Sequence, residues 1–461
     1  MENIKKQFEE FEIIYNLNKL EVFWYPAWEI VRFFILQEIF IQKWKTKQAI
    51  YPRKNIFLYI VKNIFFIIKN IFNIFLLFIK REKYEIYFLW HPRRQKQKDW
   101  FYYDIYTDFI KKWLKNKNIK YISFEETYFN FYSPISKYSK RLYKLDLIYI
   151  IFLFLSKFKK INKNELEKIS NIEKILNKEF WVKINLINRI EKDILLFSLL
   201  VKFYDKILLK LEIKKVIEVV WFSIWAKALN FSAKKLKIPT YELQHWIVWD
   251  NLACSLQDFF EWKTIPDYFL TYWNFWNNII KYPKKQKIID VWFPYFEELI
   301  EKYKHKTKNN ENILIISQWN ISDKLSFFTK KIALKYKDTQ FFYKLHPGEF
   351  LNDKEIKNNL SLIKNVELVY NEYSIYDLFS KTWISIWVSS TSLYESFLFW
   401  NKVLVIPLDD NFKVYNELIN KKIFWLIDIK KNELDFINSN FEIDNYLTNN
   451  WLKNIINLIK K

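Results

Sequence analysis

One glycine, Gly348, stands in 461 residues beside 21 tryptophans. Ordinary usage of about 7% would supply roughly 32 glycines. A chain that alternates strands and helices needs turn positions with positive φ, which are costly for every other residue. The tryptophans sit where such positions are expected. Trp221 and Trp319 follow apolar runs that read as strands, Trp246 and Trp249 share the loop HWIVWDN, and Trp400 lies in FWNK, where a helix hands over to a strand. An indole at these places would break the turn and bury an N–H that needs a partner. The pattern is the one expected if UGA codons written as Trp are translated as Gly, and the wealth of Ile, Lys, Asn and Phe fits an AT-rich genome. Trp28, Trp44 and Trp113 lie in amphipathic, helix-like runs and read as genuine.

The chain is long enough for two domains with full cores. Its apolar fraction of 51% excludes a disordered chain. A lone cysteine, Cys254, excludes a disulfide framework and a cysteine-based zinc site. The net charge of +23 favours an anionic partner: a membrane surface, a nucleotide, a nucleic acid or a polyanionic glycan. The N-terminus mixes both charge signs and does not read as a secretory signal.

Residues 1–80 read as a helical extension. Pro26 marks a helix start in the first part, which reads as a cap packed on the next domain. The segment 56–80, IFLYIVKNIFFIIKNIFNIFLLFIK, repeats Lys62/Asn63 and Lys69/Asn70 at seven-residue spacing. A spanning helix would put Lys69 near the bilayer centre, at about 2.5–3.5 kcal/mol on insertion scales. A helix lying in the interface avoids that cost and meets anionic lipid with its lysines. The in-plane reading is therefore preferred, ahead of a helix packed on protein and of a true span.

From Tyr84 the chain alternates strand and helix, the pattern of an α/β fold. YEIYFLW ends in a basic loop with His91, Arg93 and Arg94, which either binds an anion at a strand's carboxyl end or is a solvated loop. FYYDIYTDFIKKWL reads as an amphipathic helix, and residues 134–212 as mostly helical. The strand IPTYELQ delivers His245, with Glu242 and Asp250 nearby as weaker acceptor-side candidates. Residues 81–303 form the first domain on this reading and 304–461 the second, whose last part, 409–461, reads as helical and able to fold back on the first.

The second domain is organised around Thr382–Pro407, TWISIWVSSTSLYESFLFWNKVLVIP. An apolar strand delivers Ser389, Ser390 and Thr391 into a helix start, and a second strand follows. Free backbone N–H groups and the positive dipole end there suit a phosphate or diphosphate, and Glu395 is placed to accept from a ribose hydroxyl. A capped helix between two core strands would look the same.

With KLHPGE at 344–349 and QHWIVWDN at 244–251, this stretch resembles the bacterial GT-B-type transferases of surface polysaccharide and teichoic-acid synthesis, which include capsular glycosyltransferases and CDP-glycerol glycerophosphotransferases. The resemblance covers roughly residues 84–450 and strengthens if Trp246, Trp387 and Trp400 are glycine. It implies two Rossmann-like domains facing across a cleft, with a nucleotide-activated donor on the C-terminal domain and the acceptor on the N-terminal one. It further implies that His346 and Lys344 meet donor phosphate, that Ser389, Ser390 and Thr391 cradle it, and that Glu395 holds the ribose. Gln318 and Asn320 would face the same pocket, and His245 would be the general base, a task that suits an imidazole of ordinary pKa. Relatives that transfer glycerol phosphate tend to have an acidic residue and an aromatic before the paired serines, where this chain has Trp387 and Val388; that leans towards sugar transfer.

The expectation is thus an inverting, metal-independent glycosyltransferase without a cofactor. It would extend a surface-glycan or lipid-linked acceptor as a peripheral protein on the cytoplasmic face of an anionic cell membrane. The chain lacks a convincing D-x-D between strand and helix, so leaving-group charge would fall to the helix dipole and basic side chains. Polyol-phosphate transfer from a CDP donor is the enzymatic alternative. A non-catalytic membrane-surface or nucleic-acid-binding scaffold is the other, although no RNP, KH or zinc-finger pattern supports specific nucleic-acid binding.

Overall fold

The computed structural model describes residues 2–44, 56–79, 82–90, 94–96, 102–126, 138, 142–156, 160–245, 261–272, 277, 283, 286–291, 294–303, 312–319, 321–388, 391–408, 415–429 and 451–460. Contacts divide the chain into two compact units. One comprises Met1–Lys45, Arg53–Pro294 and Asn450–Lys461; the second is built from Tyr295–Asn449. The C-terminal helix Trp451–Lys460 thus returns to the first unit, where the Lys215 ammonium donates to the Leu458 carbonyl.

The first unit holds a seven-stranded sheet, wholly parallel. Its spatial order is Lys287–Asp290, Tyr268–Thr271, Thr240–Leu243, Lys215–Glu218, Ile86–Trp90, Tyr121–Glu125, Leu142–Lys144. Runs such as IYFLW are buried on both faces, as a parallel strand covered by helices must be. Counted along the chain, the order reads 7-6-5-4-1-2-3, so connections run one way from the first strand and then reverse. The second unit holds six parallel strands in the order Val366–Val369, Gln340–Lys344, Asn312–Ile316, Ile384–Trp387, Lys402–Val405, Trp425–Leu426. Along the chain this is 3-2-1-4-5-6, the Rossmann strand order, and the first sheet is the same order with one strand added. The fold is α/β, with two Rossmann-like domains.

The N-terminal helices Glu2–Ile14 and Ala27–Trp44 belong to the first unit's core. Phe8, Phe11, Trp28 and Phe180 pack ring to ring. Beneath them the buried Glu12 carboxylate accepts from the Trp28 indole at 2.6 Å and from Arg32 Nη2 at 2.9 Å. Trp28 is thereby a satisfied core residue. Glu29 accepts from the Lys263 and Thr264 amides and the Thr264 hydroxyl, while the Lys227 ammonium donates to the Glu29 and Ile30 carbonyls. Losing Glu29 would leave three donors short of a partner, two of them on buried Thr264.

Several expectations shift. Tyr102–Asp104 is a strand paired antiparallel with Arg94–Lys96, so the helix read from FYYDIYTDFIKKWL begins only at Asp108. Leu142–Lys144 is an edge strand inside the stretch read as helical, and Trp425–Leu426 a strand inside the helical C-terminal reading. The helix Pro294–Tyr303 packs in the second unit, where Tyr295 and Phe296 meet Tyr376 and the Tyr303 hydroxyl donates to Asp377 at 2.8 Å.

Among the described residues, nine non-glycine residues have φ between 48° and 69°, and three of them are tryptophans: Trp24, Trp181 and Trp400. Trp24 is the second residue of a two-residue turn between Glu21–Val22 and Tyr25–Pro26, a place where glycine is favoured. Trp181 ends the helix Lys163–Phe180 in the left-handed conformation, and Trp400 follows the helix Thr391–Leu398. Trp24 is 89% and Trp181 85% exposed, so neither indole gains much burial for its strained backbone. Glycine at 24, 181 and 400 should each raise stability, by up to about 1–2 kcal/mol in denaturant titrations. Peptide masses from protein made in its source organism should show glycine there. Tryptophan masses, together with destabilised glycine variants, would overturn the recoding.

Candidate functional site

In the second unit, the strand order reverses between Asn312–Ile316 and Ile384–Trp387. Connections from these two strands leave on opposite sides, which opens a crevice beyond their carboxyl ends. Three segments far apart in the chain bring their candidate residues to this end. Gln318 lies two residues beyond the first strand; Lys344 closes the neighbouring strand, and His346 follows it; Thr391 opens the helix that leaves the third. Register fixes the neighbours: Ile316 is paired with Lys344 and Ile315 with Ile386. Ser389, Ser390 and Asn320 lie outside the described residues.

The helix Thr391–Leu398 is held onto its strand by a buried polar set. The Ser396 hydroxyl donates to Ser385 at 2.7 Å, and the Asn401 amide donates to Ser385 at 3.1 Å and Thr382 at 3.2 Å. The Ser396 bond ties the helix to the strand and the Asn401 bonds fix the turn that follows the helix, while Glu395, one turn in, is half-buried. Trp387 at the strand end is 4% exposed, and its indole N–H has no hydrogen-bond partner. That cost disappears with glycine at 387.

The turn after Gln340–Lys344 is fixed in detail. His346 caps the short helix Pro347–Glu349: its Nδ1 accepts from the Gly348 amide at 3.0 Å, and its own amide donates to Glu349 Oε2 at 2.6 Å. With Nδ1 accepting, a neutral imidazole carries its proton on Nε2. A Cβ on Gly348 would stand 3.2 Å from His346 Nδ1, a tight contact that the imidazole would have to relieve by a few tenths of an ångström, and at ordinary contact, 3.7 Å, from Trp319 Cδ1. The second Glu349 oxygen accepts from the Ser317 hydroxyl at 2.7 Å, and Ser317 also bonds the Tyr343 hydroxyl at 2.9 Å. Ser317, Tyr343 and Glu349 thus tie two strand ends together behind His346. Sequence reasoning named none of them, although a capping residue followed three positions on by Glu was a legible signal. The Lys344 ammonium donates to the Tyr370 carbonyl, and its pKa is lowered by burial against the opposing pull of Glu372.

In the first unit, His245 stands two residues beyond the strand Thr240–Leu243 and is partly exposed. The Gln244 side chain before it accepts from the Tyr272 amide at 2.8 Å. The Tyr106 hydroxyl donates to the His245 carbonyl at 3.3 Å. The Tyr106 amide donates to Asp104, whose carboxylate also takes the Thr107 hydroxyl and stands 3.8 Å from the wholly buried Lys111 ammonium, itself 3.8 Å from Asp108. Tyr106 was not singled out from sequence, because its neighbourhood reads as a helix. His91 and Asp250 lie outside the described residues.

Glu242 is not at the surface. It is 1% exposed and accepts from the Trp221 amide, next to Glu218 on the adjacent strand. Burial raises it well above the carboxylate range, with the Glu218 charge adding to the effect. Burial likewise pushes Glu218 and Glu126 up to about 8. Glu218 and Glu126 hold protons at neutral pH, and the stability they lend is lost as pH climbs through about 8.

No family model matches the chain, and no curated protein matches it in sequence. In structure it is similar to UDP-GlcNAc 2-epimerase from Methanocaldococcus jannaschii, with 12% identity over 82% of this chain and 99% of the other at a TM-score of 0.47. The UDP-GlcNAc 2-epimerase from Neisseria meningitidis, bound to UDP-GlcNAc, gives 14% over 82% and 100%, also at 0.47. MurG from Acinetobacter baumannii gives 9% over 77% and 89% at 0.39. Likeness at this level assigns neither activity nor site residues to this chain.

Burial pushes Glu349 up from the ordinary 4.5 to about 6. Its stabilising contribution is therefore present below the unfolded value and lost as pH rises through about 6. Glu349→Gln keeps an acceptor for the His346 amide and offers Ser317 a donor. From about pH 5 to about pH 7 the variant should gain on the unaltered protein, by at most about 2 kcal/mol in urea titrations. A difference that stays flat or moves the other way contradicts the assignment.

Proposed function

We propose that the protein is a GT-B-type glycosyltransferase that moves a sugar from a nucleotide-activated donor to a surface-glycan or lipid-linked acceptor. The observation that carries this reading is the convergence of Gln318, Lys344, His346 and the Thr391 helix start on the reversal point of a Rossmann-ordered sheet. A nucleoside diphosphate suits this place: the helix start offers donors to phosphate oxygens, His346 and Lys344 would meet the same phosphates, and Glu395 accepts from the ribose. Ser389, Ser390 and Asn320 would complete the cradle.

In the proposed reaction His245 takes the proton of an acceptor hydroxyl, and the oxygen attacks the anomeric carbon from the side opposite the nucleotide. The bond from that carbon to the diphosphate oxygen breaks, the configuration inverts, and the nucleoside diphosphate leaves with the electron pair. Its new charge meets the helix dipole, Lys344 and His346 without a metal ion. Tyr106 acts as a positioning residue, holding the His245 backbone. The net charge of +23 supports work at the inner face of an anionic membrane, and an acceptor carried on lipid would be concentrated there.

A thermal-shift panel of UDP, GDP, CDP and CMP tests the reading, since a ligand at one hundred times its Kd adds about 2.7 kcal/mol. UDP or GDP should shift the melt, and His346→Ala should weaken that binding by about 1.5–3 kcal/mol. His245→Ala should leave nucleotide binding unchanged and lower turnover about 10²–10⁴-fold. A shift with CDP or CMP alone would favour polyol-phosphate transfer. No shift with any nucleotide, from folded protein, would contradict both.

A further inference from the structure

We infer that the outer face of the helix Ile56–Ile79 is a docking surface for an anionic lipid bilayer. This deepens the membrane part of the proposed function, but it rests on exposed side chains alone and stands apart from sugar transfer.

The helix is pinned by one side chain. Asn70 is buried; its amide donates to the Lys144 carbonyl at 2.5 Å and its oxygen accepts from the Lys144 amide at 3.0 Å. Lys144 closes the edge strand of the seven-stranded sheet, so Asn70 satisfies main-chain groups that an edge would leave open. Ile67, Ile74 and Leu77 are buried on the same side. This contact fixes the rotation of the helix and turns the opposite face outwards.

That face is apolar. Val61, Phe65, Ile68, Phe72, Phe75 and Ile79 follow one another at spacings of three and four and are 54–71% exposed. From Val61 to Ile79 the stripe runs about 27 Å along the axis, at roughly 1.5 Å per residue. It is convex, a ridge rather than a groove. The helix contains no acidic residue, and Lys69 and Asn73 stand exposed beside the ridge. Two residues beyond Lys144 begins a second helix, Asp146–Ser156, with Ile151, Phe154 and Leu155 exposed.

A protein partner covering such a face would be expected to meet a polar rim on both sides. A helix with an apolar stripe, a cationic margin and no carboxylates, in a chain of charge +23, matches anionic headgroups over an acyl boundary. Asn70 holds the helix to the sheet. Among the described residues no helix is long and apolar enough to cross a membrane.

Co-sedimentation of the full chain with phosphatidylcholine vesicles, with and without phosphatidylglycerol, tests this. The protein should pellet with the phosphatidylglycerol vesicles, and added salt should weaken the binding without abolishing it. Phe65→Asp with Phe72→Asp should lower the partition coefficient more than about tenfold, or about 1.4 kcal/mol, while the melt and any nucleotide shift stay as they were. Should the aspartates disturb folding, Ile68→Ser with Phe72→Ser gives the same reading at lower cost. Failure to pellet with either vesicle, equal pelleting of the variants, or a dimer in solution that the substitutions dissociate would each overturn the proposal.

Discussion

The candidate donor site depends on one topological constraint, the reversal of strand order beside Asn312–Ile316. Parallel strands must be joined by right-handed crossovers. A sheet that grows first to one side and then to the other therefore sends the loops from its first and fourth strands apart. No side chain needs to be strained to make the opening. What the residues add is an interior stiff enough to hold it: Ser385, Ser396, Thr382 and Asn401 fasten the outgoing helix, and Ser317, Tyr343 and Glu349 fasten the histidine turn. Each set satisfies buried polar groups while setting the direction of a group at the surface.

In the first unit a comparable economy holds His245. The buried Lys111 between Asp104 and Asp108 shapes the turn that brings Tyr106 to the His245 carbonyl. Glu218 and Glu242, at the neighbouring strand ends, are buried, and burial raises both, so they form part of the core rather than a set of exposed bases. Glu242 belongs to that core.

Apolar runs such as NILII and IYFLW announced their strands, because a strand covered on both faces leaves little room for polar residues. Leu142–Lys144, Lys287–Asp290 and Trp425–Leu426 were illegible for the opposite reason: they are two to four residues long and carry Lys, Asp or Trp. Their strand character comes from the neighbouring strand. Lys344, His346 and the Thr391 helix start could be placed because each follows a legible strand. Ser317 and Tyr106 could not, since their roles come from partners across the fold, whereas Glu349 carried a local capping signal. The tryptophan anomaly was legible in composition, and the backbone gives it a physical form in the left-handed conformations of Trp24, Trp181 and Trp400.

The most direct measurement is hydrogen–deuterium exchange of the full chain with and without a saturating nucleoside diphosphate. Protection is expected at three separate segments, 317–320, 344–349 and 388–395, because the reversal point of the second sheet brings them to one ligand. Protection confined to one of these segments, or centred on the strand ends of the first sheet, would contradict the placement of the donor site.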